Sequence, residues 1–585
     1  MARRTVRCAP KRSPDPAVIE AALAAMGAGD LRELIRNIIP WLDNATHTRL
    51  ASAIIDRAAR NSSGWTPAAP TQQAVSEIVD FADAAKRIGS ADPLEVDNYL
   101  RQGSNAFLAR DYQTAFQIFR TLLLPLGNAE IDLGQDELID EVLGVNLAEC
   151  AAQYAVAVYM TSTPRSRAEA VLAAIDEVCG VGHFWEPLRE IERVAVGILP
   201  GFEEFLPEWR VLVEDRVQKE RRSDWDSDAT RWRREVVQRM EGAEGLAGVA
   251  RSTKRADDLR AWCQSLVDAR DWKQALLAYD EATEIVSDGK HSRGEFLDGA
   301  ALATQELGRK DLPVRFERAW RDAPTLVRLR RWLGSATTKQ VLRERAAAAL
   351  DVCPNRSVRQ RAILHVLLGS FGTAAKLLAS APGLGWSSGD HPGHLLFAIF
   401  TSLLTDAPLE ATSADDFEDF SAMSEQNEPR LATPETASLI DLSGIVSPQG
   451  GSDRAAMLNA MRKAAEKRIA GVTENKRRRH YAHAATLAMT CMRIDPGGSS
   501  AWMAKIRSGL SPLPSVAART RRRSVSEMED HPNREVLEWK RSERDRRISS
   551  RDWGGLPTPL PFGPGSLGGT AILRMTEACG RTAPN

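Results

Sequence analysis

The stretch ADDLRAWCQSLVDARDWKQALLAYDEA, residues 256–282, decides the fold. Leu259, Trp262, Cys263, Leu266 and Val267 recur at i, i+3, i+4, i+7 and i+8, the spacing that gathers apolar side chains on one face of an α-helix. Asp268-Ala269-Arg270-Asp271 reads as the turn that follows. The carboxylate of Asp271 can accept from the unpaired N–H groups of a second helix, which makes it the expected N-cap. That second helix carries Trp272, Ala275, Leu276, Tyr279 and Ala282. Its alanines admit a close neighbour, and Trp272 and Tyr279 are expected to fill the core beside them.

The same figure stands at Ala109-Arg110-Asp111-Tyr112 with Ala115, Phe116 and Phe119. It returns at Phe371, Ala374, Leu378, Ala381 and Pro382, and again at Tyr481, Ala484, Ala488, Cys491 and Pro496. The pattern resembles the second half of a tetratricopeptide repeat, in which aromatic and small residues alternate at fixed spacing. The intervals between echoes are irregular. The expected fold is therefore all-α: a degenerate, TPR-like helical-repeat array, an α-solenoid in which each pair buries its apolar face on its neighbour.

The chain has 585 residues, too many for one core, so two packed regions are expected. Its formal net charge is -1, which supplies no global field towards nucleic acid or an anionic membrane. The 7 cysteines include no C-x-x-C pair, which speaks against a zinc ribbon or a disulfide framework and for a reducing compartment. No 18-residue apolar span and no signal-peptide core follow the basic start MARRTVRCAPKRSPDP, so a cytoplasmic location is expected.

Along the chain, residues 1–16 read as a disordered basic leader and 17–213 as an N-terminal helical array. In that array Asp30 looks like an N-cap, and one helix is expected over 138–160. Residues 214–255, dense in both charge signs, read as an exposed helical connector. A C-terminal array follows over 256–510, with an acidic insertion at about 406–450. Residues 511–585, rich in Arg, Pro and Gly, read as a mostly disordered tail.

Three stretches carry a family resemblance: RAILHVLLGSFGTAAKLLASAPGLGWSSGDHPGHLLF at 361–397, KRRRHYAHAATLAMTCMRIDP at 476–496, and VDFADAAKRIG at 79–89. They resemble a family of bacterial helical-repeat proteins of uncharacterised function, related to helical regions that accompany SWIM zinc fingers. The resemblance implies an all-helical bacterial protein and no particular reaction. The C-x-C and C-x-H pairs of the zinc finger itself are absent from this chain.

Two places hold residues with chemical potential. The first is the loop 383–394, with Trp386, Ser387, Asp390, His391 and His394 as its candidate functional residues. Gly385-Trp386-Ser387-Ser388-Gly389 fits the G-x-S-x-G of a nucleophile elbow in letters, but no strand precedes it as that elbow requires. Asp390, His391 and His394 are potential zinc ligands, although Pro392-Gly393 places the two histidines on a turn and not on a helix face. Alternatively, Asp390 or His391 caps the helix that follows. The second place is Arg477, Arg478, Arg479, His480 and His483, a basic run that could meet a partner's acids or phosphates. A further arginine-rich region, Arg309 to Arg331, interleaves Phe316, Trp320 and Trp332 as a stacking surface would, or buries them.

From these features the chain reads as a non-enzymatic scaffold that binds another protein through a concave helical surface, with no cofactor. Two alternatives stay open: an enzyme or metal-binding protein with its site in 383–394, and a nucleic-acid binder acting through its arginine-rich helices and tail.

Overall fold

The computed structural model describes residues 16–60, 64–134, 139–220, 226–286, 289–386, 391–409 and 430–509. The leader up to residue 15, the tail from 510, and 410–429 of the acidic insertion lie outside the described residues. The described residues are helical, with a single isolated bridge between Ser90 and Asp132. The chain divides into two compact units, with the boundary between Leu246 and Ala247, inside the stretch read as a connector.

In the first unit the helices are α1 (Pro16–Ala25), α2 (Ala28–Ile38), α3 (Asn44–Arg60), α4 (Gln72–Ile88), α5 (Pro93–Leu108), α6 (Tyr112–Gly127), α7 (Ile139–Val142), α8 (Leu147–Thr161), α9 (Arg167–Glu177), α10 (Pro187–Val194) and α11 (Phe202–Lys219). Helix α12 (Asp228–Thr253) runs up to and past the unit boundary and breaks at Gly242, where φ is 63°. The second unit continues with α13 (Ala256–Asp268), α14 (Trp272–Ile285), α15 (Gly289–Glu306), α16 (Leu312–Asp322), α17 (Leu326–Gly334), α18 (Lys339–Val352), α19 (Val358–Leu367), α20 (Phe371–Ala379) and α21 (Gly393–Thr405). After 410–429 come α22 (Thr436–Ser443), α23 (Gly451–Glu474), α24 (Tyr481–Ile494) and α25 (Pro496–Gly509). Consecutive helices pack on one another from α13 to α20, so each unit is built as a run of helix pairs.

The central pair forms as its sequence predicts. Leu259, Trp262, Cys263 and Val267 are buried, and Asp271 caps α14 by accepting from Gln274 N–H at 3.2 Å. Arg270, in the left-handed region at φ 55°, donates to Val267 O, and Asp271 N–H reaches back to Leu266 O. This is the Schellman closure, which satisfies the last carbonyls of one helix while the next begins. The α5–α6 turn repeats it residue for residue, with Arg110 at φ 66° and Asp111 capping Thr114 N–H. Gly369, Lys476 and Gly308 take the same left-handed position in three further turns of the second unit.

Four expectations need correction. Asp30 is not an N-cap; it lies inside α2 and accepts from Gly27 N–H, so Gly27 starts the helix. The helix expected over 138–160 is two helices, broken before α8, where Asp97 accepts from Val145 N–H. The connector is helical but not exposed. Trp232, Val236 and Val237 on α12 are buried, and Glu235 caps α10 by accepting from Leu188 and Arg189 N–H at 3.2 and 2.7 Å. Burial pushes that carboxyl up to about 8. Finally, Trp272 and Tyr279 are half-buried rather than core, packed against Val267, Ala275 and Ala300.

Candidate functional site

The loop that follows α20 and the helices α23 and α24 meet in the second unit. Their approach depends on two glycines. A Cβ on Gly471 of α23 would lie 2.8 Å from the backbone of Gly383, and one on Gly383 would lie 2.7 Å from Lys467 O. With no side chain at either position, the loop lies directly on the helix. Lys467 Nζ donates to Ala379 O and Arg468 Nη1 to Gly383 O, at 2.9 and 3.2 Å, so α23 holds both sides of the bend.

Trp386 is the centre of what this contact assembles. It is buried, and its indole Nε1 donates to Pro382 O at 2.7 Å. The rings of His391, His394 and His483 stand edge-on to it, with centroids at 5.9, 5.2 and 5.5 Å. His394, in the first turn of α21, and His483, in the first turn of α24, lie with centroids 5.2 Å apart and planes tilted by 32°. The fold thus joins the two sequence candidates: Trp386, His391 and His394 from one, His483 from the other.

His391 closes the loop. Its Nδ1 accepts from Gly393 N–H at 3.1 Å, which caps α21, and its Nε2 lies 3.1 Å from Gly385 O. A backbone N–H can only donate, so Nδ1 carries no proton; Nε2 does, and donates to Gly385 O. The ring is the neutral Nε2–H tautomer, in use at both nitrogens. The capping role expected of Asp390 or His391 belongs, among the described residues, to His391. Arg359 Nε donates to His391 O at 3.0 Å from α19.

Burial, followed by the nearby His483, His391, Arg359 and Arg468, pushes His394 down to about 2. Burial, followed by Arg468 and His480, pushes His483 down to about 4. Both are neutral near pH 7. A group that transfers protons at that pH needs a value close to it, so these imidazoles are poorly matched to general acid–base work. Arg468 is buried, and its own guanidinium is pushed down by that burial. Two cationic guanidiniums beside the rings also disfavour a metal cation there. Among the described residues no group of three or more His, Cys, Asp or Glu is placed to hold a metal ion.

The remaining candidates fall differently. Ser387 and Asp390 lie outside the described residues. No strand leads into Trp386; α20 and a coil do, so the nucleophile-elbow context is missing. Arg477, Arg478 and Arg479 are exposed, and they do not open an α-helix as expected. Lys476 takes the left-handed turn, Arg478–His480 is a 3-10 turn, and α24 begins at Tyr481.

The arginine-rich helices are neutralised from within. Arg315 pairs with Asp280 at 2.7 Å, Arg318 with Glu284 at 2.6 Å, Arg321 with Glu317 at 2.8 Å, and Arg328 and Arg331 both with Asp298. Phe316, Trp320 and Trp332 are buried, and the two tryptophans stack on each other at 5.1 Å. They are not available to stack on bases.

Sequence reading missed Arg359, Arg468 and Gly471, and took Gly383 only as the start of the candidate loop. The one available signal is Gly471, an isolated glycine inside a helical pattern, which marks close backbone approach. No protein-family model matches this chain and no curated protein is similar to it, so the helical-repeat resemblance rests on the residues quoted for it and the chemistry of the cluster on its geometry.

Proposed function

We propose that this chain is a helical-repeat scaffold that recognises another protein, and that the histidine–tryptophan cluster holds the scaffold together rather than performing a reaction. The observation that carries the reading is the recurrence of one helix–turn–helix unit through both units, with the same capped turn at 109–111 and 269–271. Arrays of such pairs present long surfaces without a central cavity, and recognition is their usual use. The internal pairing of the arginines on α16 and α17 supports a protein partner over a nucleic acid, since phosphates would have to displace carboxylates already in place. Among the described residues no helix is long and apolar enough to cross a membrane.

The test is reconstitution. A protein that co-purifies with the tagged chain from its native host is expressed separately and titrated into the purified chain by calorimetry. A saturable complex that persists in the double variant His391→Gln/His394→Gln is expected. A stoichiometric metal, or a turnover, that disappears in that variant while the fold survives would instead establish the loop as a working site.

The cluster itself favours that second reading on one observation: it gathers imidazoles from α21 and α24, far apart in sequence, around a single buried indole. Its neutral rings and flanking guanidiniums weigh against proton transfer and cation binding, which is why the scaffold reading is preferred.

A further inference from the structure

Away from the cluster, an extended segment of the second unit lies across α15 and α17. Asp298 of α15 pairs with Arg328 and Arg331 of α17, so the two helices present one face. Residues 430–435 cross that face before α22 begins, with no helix or strand of their own. Gln305, in the last turn of α15, meets their backbone twice. Its Nε2 donates to Arg430 O at 2.9 Å, and its Oε1 accepts from Ala432 N–H at 2.9 Å. An adjoining β-strand offers an extended chain the same donor and acceptor, so the carboxamide reads backbone and not side chains. From α17, Arg331 Nε donates to Thr433 Oγ1 at 2.8 Å, and Arg330 Nε to Pro434 O at 2.9 Å. A Cβ on Gly334 would collide with the Pro434 ring, which fills the space the glycine leaves.

The segment is held as a bound peptide is held. Arg430 and Ala432 are exposed, and Leu431, Thr433 and Pro434 are half-buried, so it lies on the surface and not within the core. Its anchors are side chains of the helices beneath, aimed at two of its carbonyls, one N–H and one hydroxyl. Arg330 is itself buried, so its bond to Pro434 O is costly to lose and must be remade by whatever replaces the segment. The face thus specifies its occupant: an extended backbone, an apolar residue, a hydroxyl two positions on, and a proline directly after it.

We propose that this face of α15 and α17 binds an extended segment of a partner protein that carries Ser-Pro or Thr-Pro, and that residues 430–434 occupy it as an internal stand-in which the partner displaces. The proposal rests on the scaffold reading and gives it a place and a ligand chemistry. Proline fixes its own backbone and holds the residue before it extended, so a hydroxyl–proline pair arrives in the conformation the face accepts and loses little entropy there. Covalent attachment favours the chain's own segment. A partner's segment of equal chemistry therefore binds the intact chain weakly and gains when the internal copy is weakened.

The test uses the full-length chain and a fluorescent synthetic peptide, EPRLATPET, the sequence of residues 428–436. The peptide is titrated against the wild type, against Thr433→Ala/Pro434→Ala, and against that double variant with Gln305→Leu or Gly334→Ala added. Each protein is first shown by circular dichroism to stay helical, and Thr433→Ala alone serves if the double variant unfolds. The peptide should bind the double variant at least tenfold more tightly than the wild type. That gain should vanish when Gln305→Leu or Gly334→Ala is added, and when the peptide carries Ala in place of Thr433 and Pro434. A peptide that binds the double variant no better than the wild type, or no better than a scrambled peptide does, overturns the site and makes the segment a permanent strap. The partner recovered in the reconstitution above is then added as a competitor. Displacement of the peptide supports the proposal; a partner that binds without displacing it overturns the proposal and leaves the scaffold reading intact. Peptide binding together with a failed reconstitution overturns both, leaving residues 430–434 as the only occupant.

Discussion

The turn between α13 and α14 and the connection between α20 and α21 both end one helix and begin another, and they do so by opposite means. The first uses two residues: Arg270 in a left-handed conformation and Asp271 as cap. Every interaction that defines it lies within a few residues in sequence. The second uses His391 as the cap of α21, Trp386 as an anchor, and α23 and α24 as the surface it lies on. A helix turn can thus be stabilised locally or by tertiary packing. Only the first kind is written into neighbouring residues.

The difference predicts a large effect at the tertiary connection. Trp386→Ala removes a fully buried indole, its hydrogen bond and the ring that three histidines meet, and should cost about 3–5 kcal/mol. Trp272→Ala, at a half-buried position of the local pair, should cost roughly 1–3 kcal/mol. Thermal unfolding of both variants compares them directly. Equal losses would erase the distinction.

Acid should act on the tertiary connection through its buried imidazoles. His394 and His483 lie at about 2 and about 4 in the folded chain, below the ordinary imidazole value of 6.5. The unfolded chain therefore takes up protons that the folded chain refuses. Stability from these sites is full above about pH 6.5 and is lost as pH falls towards 4. The loss is at most ~1.4 kcal/mol per pH unit for each ring, and less where solvent reaches it. In His394→Gln/His483→Gln the unfolding free energy of the second unit should fall less steeply over that range. An unchanged slope would contradict the assignment.

The local turn should respond to its cap and little else. Asp271→Ala and Asp111→Ala should each cost about 1 kcal/mol, the usual loss of an N-cap, read from thermal unfolding at pH 7. The smallest effect is a gain. Arg270 and Arg110 sit at positive φ, where a side chain is strained, so Arg270→Gly should stabilise by roughly 0.5–1 kcal/mol. Destabilisation would mean that the Arg270 side chain contributes more than its backbone strain costs.

The same contrast explains what was legible in the sequence. The helix pairs were legible because apolar spacing and an aspartate cap act over four residues. The meeting of His483 with His394 was not, because it depends on α23 lying beside α20, which the glycines Gly383 and Gly471 permit but do not announce. The pairing of Arg315 with Asp280 and of Arg328 with Asp298 was hidden for the same reason: each ion pair joins different helices. The break before α8 was missed because the backbone N–H it leaves at Val145 is satisfied by Asp97, far upstream. The exposure expected of the connector failed because charge density was read without the buried Trp232 and Val236 on its inner face.

The most direct test is an imidazole NMR titration of the full-length chain with isotope-labelled histidine, assigned by single His→Gln variants, from pH 7.5 to 4.5. A structural cluster requires His391 as the Nε2–H tautomer, and His394 and His483 unprotonated down to about pH 5 while the fold persists. Protonation of either ring near pH 6.5 in the folded chain, or the Nδ1–H tautomer at His391, would contradict the closure described here and return the loop to the list of working sites.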